Sequence, residues 1–435
     1  MLVPNSIPKS EPLLRVGIVL PEDNQKTVIL DLTNSINIKV FFDGENTNLK
    51  HKLIVFEAKE QKIYFNGFDA EKIEIEQTGT NDFIVVKSVI AGRGFHWVKH
   101  IDIKLSHKLE FSLKDGNLML INELPLEDYL ASVATSEMSS ECPVSYTEAQ
   151  TIVARSWMLA NVEQKHIHLG FDVCNDDCCQ RFQGLNHLTE HSKRAAENTR
   201  GLVLMYKNEI VDARYSKSCG GIMEKFENLW ENTPKDYMQN KSDAPIDFNV
   251  DLTIEKNLIE WVNSVPKAFC GPHYIKEEDL HKYLGNVDEE GSYFRWEIRT
   301  NQNDLVENIK DKLGIDIKNV ISLVPQKRAG SGRILELEIK YLDSNKNKKS
   351  IIIHKDYEVR RILHKMFLYS SAIEIVTHRT NDSDIPLGFI FKGAGWGHGA
   401  GMCQIGGIGM SLAGYKTEEI VKHYYPGVEI IEIYR

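Results

Sequence analysis

From about Leu14 to Leu120, short runs rich in apolar and β-branched residues, separated by turn signals, read as strands. Residues 15–20, 83–87 and 109–113 are examples, and Asp43-Gly44 and Asp115-Gly116 supply turn signals between such runs. Near Leu124 helical periodicity takes over. Leu126, Leu130, Val133 and Ala134 fall on one face at helical spacing. A second helix is predicted from Thr147, where Thr147 and Gln150 have the spacing of a capping box and Ala149, Ile152, Val153 and Ala160 make the apolar face. A third helical pattern over 188–199 precedes a strand at 201–206. Residues 231–380 mix short helices with strands such as 334–339, which follows a turn at 329–332. The lysine and asparagine run 345–349 reads as a solvated hairpin tip. A last helix is expected with Thr417 as its N-cap, acidic residues at 418 and 419, and Pro426-Gly427 ending it.

One stretch fits neither pattern. Five of the nine residues from Gly393 to Gly401 are glycine, with Trp396 and His398 between them. Glycine weakens a strand, so such a run implies that something approaches the backbone closely. A ligand is one candidate, with Trp396, His398 and Gln404 as lining residues. A tight crossing of two backbone segments is the other.

Composition narrows the class. At 435 residues the chain exceeds what one core supports, and two or three units are expected. The net charge of −10, without a basic cluster, argues against a nucleic-acid partner. No run reaches transmembrane length. Residues 1–11 lack the apolar core of a signal peptide, which leaves a cytoplasmic location or a removed export signal. Seven cysteines, three of them within 174–179, fit reduced thiols and a metal site better than a disulfide framework.

Glu137 is the leading catalytic candidate. It lies seven after Leu130, four after Val133 and three after Ala134, on the apolar stripe of its helix. A carboxylate there is costly unless paired or neutral, and a neutral carboxylic acid suits a general acid. The competing reading is a structural ion pair, most simply with Arg155. Arg155 and Gln150 on the second helix could orient Glu137, bind an acyl-amide oxygen, or decorate the surface. His168, Cys174, Cys178 and Cys179 have metal-ligand chemistry at close spacing, although adjacent Cys178 and Cys179 seldom both reach one ion. Ser218, Cys219, Gly220 and Gly221 read as a site-lining loop.

Taken in order, these motifs resemble the stage II sporulation protein D (SpoIID/LytB) family. The resemblance is carried by Ile121-Asn122-Glu123-Leu124-Pro125-Leu126-Glu127-Asp128-Tyr129-Leu130, Ser136-Glu137-Met138, Ala149-Gln150 with Ala154-Arg155-Ser156-Trp157, and Cys179-Gln180-Arg181-Phe182-Gln183-Gly184. It continues through Gly220-Gly221, Gly330-Ser331-Gly332-Arg333, the glycine run with Met402 and Gln404, and His423-Tyr424-Tyr425-Pro426-Gly427. Phe182 stands where a tyrosine is common, Cys403 replaces a usual serine, and Cys219 replaces a usual serine or threonine.

The resemblance implies an α+β fold. A β-rich region (1–115) leads into a catalytic core (116–230 and 381–435) interrupted by an inserted α+β segment (231–380). It implies a lytic transglycosylase that cuts peptidoglycan glycan strands to 1,6-anhydro products, with Glu137 as the single acid. Ser218, Gly220, Gly221, Gln150, Arg155, Trp396, His398 and Gln404 would then bind substrate. No cofactor is needed for catalysis. Structural zinc falls on His168 and Cys174 with Cys178 or Cys179. A location in the cell envelope or periplasm follows if an export signal was removed. The alternatives are a non-catalytic enhancer of a cell-wall amidase and a metal or cysteine hydrolase built on residues 174–179.

Overall fold

The computed structural model describes all residues except 5, 35–37, 48–51, 66, 78, 80–81, 95–97, 232, 286–290 and 381–382. Its elements make an α+β fold in two compact units. The first comprises Met1–Asp212, Lys282–Val287 and Glu429–Arg435; the second comprises Ala213–His281 and Asp288–Val428. This division departs from the expected regions. Residues 1–115 share one apolar core with those that follow, because Val16, Val86 and Phe111 pack in the same cluster as Leu130, Met158 and Val203. The segment 231–380 is not separate either, since strand Arg295–Asn301 pairs along its length with Gly388–Ala394.

The first unit is built on strand Asn117–Pro125, buried on both faces. Leu118 and Leu120 point into the main core, while the alternate residues Met119 and Ile121 point into a smaller cluster with Leu20 and Phe171. Leu13–Val19 pairs antiparallel with this strand on one side and parallel with Val173–Cys174 on the other. That second pairing delivers the cysteine-rich loop to the sheet. Directly after the strand, Pro125 ends the extended backbone and helix α1 (Leu126–Glu137) begins, with Glu127 and Asp128 in its first turn. Every residue of α1 except Asp128 is buried, so it is a core helix and not an amphipathic surface helix.

Helix α2 (Val144–Ala160) starts three residues before the predicted point. The fixed φ of Pro143 (−61°) makes it the N-cap, and Thr147 lies one turn inside, its hydroxyl bonded to the Pro143 carbonyl at 3.3 Å. Helix α3 (Glu190–Asn198) has a true cap, Thr189. Near the C-terminus, Thr417 is the first helical residue and Lys416 the cap position.

In the second unit, sheet 295–301/388–394/373–378 and hairpin strands Asn319–Arg328, Ile334–Leu342 and Lys348–His354 share a core with Leu305, Ile309, Val359 and Ile362. The predicted turn at 329–332 connects the first two of those strands, and the connection between the last two is 343–347, so residues 348 and 349 of the predicted tip already belong to the third strand. No helix among the described residues is long and apolar enough to cross a membrane.

Candidate functional site

Glu137 ends α1 with only 8% of its surface exposed. The chain then turns to extended backbone at Met138. A loop descending from Val173–Cys174 lies against this helix end: the backbone N–H of Arg181 donates to Glu137 Oε1 at 3.0 Å, and that of Gln183 to Ser136 Oγ at 3.3 Å. The loop is closed on itself by Phe182 N–H to the Asn175 carbonyl (3.1 Å) and by Arg181 to Asp177 (2.8 and 2.9 Å). Phe182 stacks on Tyr129 at 5.0 Å. Gly285 brings its backbone close to the Ser136 and Glu137 carbonyls, where a side chain would touch the former at 3.5 Å.

Arg155 does not pair with Glu137 as the structural reading expected. It is completely buried and its fork grips Glu127, at 3.0 Å from Nε and 2.5 Å from Nη2, while Nη1 donates to the Leu202 carbonyl. Tyr434 Oη and Gly201 N–H also donate to Glu127. With its donors committed inside the core, Arg155 cannot bind substrate. Gln150 is likewise buried and accepts the Tyr146 hydroxyl at 3.2 Å. Glu127 was the missed residue. It lies three before Leu130 and seven before Ala134, so the spacing that singled out Glu137 applied to it equally.

The cysteines converge, with a different histidine. His166, Cys174, Cys178 and Cys179 present ligand atoms all within 4.8 Å of one another, whereas His168 is exposed on a short 3-10 turn and lies outside the group. Cys174 Sγ lies 3.0 Å from Cys178 Sγ, and Cys178 Sγ lies 4.0 Å from both His166 Nε2 and Cys179 Sγ. Both adjacent cysteines therefore reach the cluster. Hydrogen bonding with Cys174, then with Cys179, holds Cys178 below the usual thiol range. Three sulfurs and one imidazole fit a structural zinc.

In the second unit the glycine run is a backbone crossing. Trp396 and Ser218 exchange backbone hydrogen bonds (2.7 and 3.0 Å). A Cβ on Gly395 would sit 2.8 Å from Ser218 O and Gly220 N, one on Gly399 2.3 Å from the Arg333 guanidinium, and one on Gly401 1.9 Å from the Arg214 carbonyl. Ser218, Gly220, Gly221 and Gln404 are buried, and Gly220 and Gly221 turn at positive φ (77° and 108°). The Ser218 backbone is bonded to Trp396, and Gly221 O accepts Asp243 N–H, which leaves this loop the packing partner of the run and not an open sugar-binding wall. Trp396 is half-buried with one face stacked on Tyr369 at 3.7 Å and Tyr293 tilted at 4.7 Å, so a sugar cannot lie on the face Tyr369 holds. His398 packs edge-on against Trp230, and its Nδ1 accepts the Ala400 N–H at 3.1 Å. Burial, then the positive charges of Arg214, Arg360 and Arg333, push it down to about 3; it is a neutral ring near neutral pH. Gly401→Ala is expected to destabilise this unit by roughly 3–5 kcal/mol, since φ is +67° and the clash is with backbone. Gly414→Ala, at φ +92° in open space, should cost about 1 kcal/mol. Chemical denaturation of both variants checks the contrast.

Residues 114–206, which contain α1, Glu137, Arg155 and the cysteine loop, match the model described as "Stage II sporulation protein". The chain carries a SpoIID domain. Residues 224–401 match a domain of unknown function, DUF8618. An uncharacterized protein of Brachyspira hyodysenteriae is 25% identical over 75% of this chain and 72% of its own length. The amidase enhancer of Bacillus subtilis is 23% identical over 69% of this chain, but only 40% of that protein is covered. Stage II sporulation protein D of Bacillus amyloliquefaciens is 23% identical over 72% of this chain and 76% of its own.

Proposed function

We propose that this protein works on the cell wall as a lytic transglycosylase, with Glu137 as its single acid and base. The observation that carries the reading is the partition of the two buried glutamates on α1: Glu127 takes the Arg155 guanidinium, while Glu137 sits at the helix end with the Arg181 N–H on Oε1. In the proposed step Glu137 gives its proton to the glycosidic oxygen between N-acetylmuramic acid and N-acetylglucosamine. It then takes the proton of the muramic C6 hydroxyl, which attacks C1 and closes a 1,6-anhydro ring. The nucleophile belongs to the substrate, so the second carboxylate of ordinary glycosidases is not needed. The reading places the protein at the cell envelope. Its test is mass spectrometry of purified glycan strands, intact and amidase-stripped, after incubation with the protein. Anhydro-ended fragments are expected. Free reducing ends would overturn it in favour of a water-using muramidase.

Zinc enters as a structural group. His166, Cys174, Cys178 and Cys179 would hold it, and it would stiffen the loop that carries the Arg181 N–H to Glu137. Cys178→Ser is expected to lose one zinc per chain by elemental analysis and to lower the thermal midpoint.

A second reading is favoured by the relative named amidase enhancer: the chain would stimulate a cell-wall amidase without cutting glycan. No cleavage of either substrate, together with faster release of stem peptides by an added amidase, would select it.

A further inference from the structure

We infer that Cys219, Asp243, Cys270 and Cys403 form a second, closed metal site within the second unit, for one thiophilic divalent ion of the zinc type. The four side chains are buried, and their ligand atoms lie within 4.8 Å of one another. They come from four separate stretches of chain: the Gly220-Gly221 loop, the segment following Ser242, the turn after Phe269, and the N-cap of helix Gln404–Leu412. Nothing in local sequence spacing would assemble them.

The distances match a single ion. Zinc–sulfur bonds of ~2.3 Å and zinc–oxygen bonds of ~2.0 Å in a tetrahedron set S···S at ~3.8 Å and S···O at ~3.5 Å. Cys219 Sγ lies 3.8 Å from Cys270 Sγ and 3.4 Å from Asp243 Oδ2. The cysteines are free thiols, well beyond disulfide length. A cluster of several irons, whose cysteines bind different iron atoms, needs its sulfurs farther apart than this. Softness selects the same class of ion: three thiols and one carboxylate suit zinc, not calcium or magnesium. Four protein ligands leave no open position, which makes the site structural.

The surroundings are arranged for such a ligand set. Tyr424 Oη donates to Asp243 Oδ1 at 2.8 Å, and His423 Nε2 lies 3.7 Å from the same oxygen, while Oδ2 faces the thiols and accepts the Cys270 N–H at 3.2 Å. Outer-shell bonds of this kind orient a metal-binding carboxylate. Backbone N–H groups of Cys219 (3.2 Å) and Gly406 (3.3 Å) point at Cys403 Sγ, and that of Gly221 (3.4 Å) at Cys219 Sγ, as thiolates require. A cavity of about 260 Å³ lined by Phe269 and His423 lies in the same region of the second unit, although none of the four ligands lines it. Bound by those four, the ion would tie both partners of the glycine-run crossing, because Cys219 follows Ser218 and Cys403 follows Gly401 by two.

The test is zinc per chain by elemental analysis for the full-length parent, Cys219→Ser and Cys178→Ser, each gel-filtered after expression with zinc. Cys219→Ser is expected to hold one zinc fewer than the parent, and Cys178→Ser to keep that one. Cobalt-loaded Cys178→Ser should show thiolate-to-cobalt charge-transfer absorption, which decides the matter if Cys219→Ser does not fold. Equal zinc in parent and Cys219→Ser would overturn the site. So would the absence of that absorption, or an intact mass two hydrogens lighter, which marks a disulfide.

Discussion

Glu137→Gln protein is expected to fold as the parent does and to release anhydro-ended fragments about 10²–10⁴-fold more slowly, the range that a positioned proton donor supplies. The glutamine keeps an oxygen for the Arg181 N–H at Oε1, so the loop over the helix end stays in place. What is lost is the exchangeable proton. A loss of 10³ corresponds to about 4 kcal/mol in the barrier, while the thermal midpoint should move little because shape and the backbone bond are retained. The two measurements must separate. A slow and unstable variant would mean that Glu137 is structural. An unimpaired variant would mean that the acid lies elsewhere. If the protein is an enhancer, Glu137→Gln would stimulate the amidase as well as the parent does.

The strand-rich opening, α1 and the two turns around the 334–342 strand were legible because period and turn chemistry are local signals. Residues whose partners are distant in sequence were not. Thr147 and Gln150 satisfy the spacing of a cap, yet Pro143 starts the helix a turn earlier, since a fixed φ outweighs a hydroxyl. The metal reading chose His168 from the same short segment as His166. The 3-10 turn at Ile167–Leu169 sends the former to solvent, and the His166 ring stacks on Phe171 beside the thiols. The alternation of glycine around Trp396 reported a close approach correctly. It could not report that the approaching group is the chain's own residues 214–220, because those lie some 180 positions away. Cys219 was read as loop lining and Cys403 as a replaced serine, but neither was joined with Cys270 into a metal set, because the three share no spacing motif and Asp243 carries no signal of its own.

Removing one half of the Arg155–Glu127 pair should produce the reverse of the Glu137 phenotype. Arg155→Met leaves a carboxylate buried among Tyr434, Gly201 and the helix, and Glu127→Gln leaves a guanidinium that no water can reach. Orphaning a buried charge costs about 3–5 kcal/mol. For a unit of roughly this size that lowers the thermal midpoint by on the order of 10 °C. The double variant Glu127→Gln/Arg155→Met removes both charges and should recover a good part of the loss, which a thermodynamic cycle will measure as coupling. The pair sits in the first turn of α1 and Glu137 in its last, ten residues on, or about 15 Å along the helix axis. Fragment release per folded molecule should therefore stay within a few fold of the parent in all three variants. A large fall in that rate at unchanged stability would instead make Arg155 part of the catalytic machinery, through contacts that its geometry in the core does not provide.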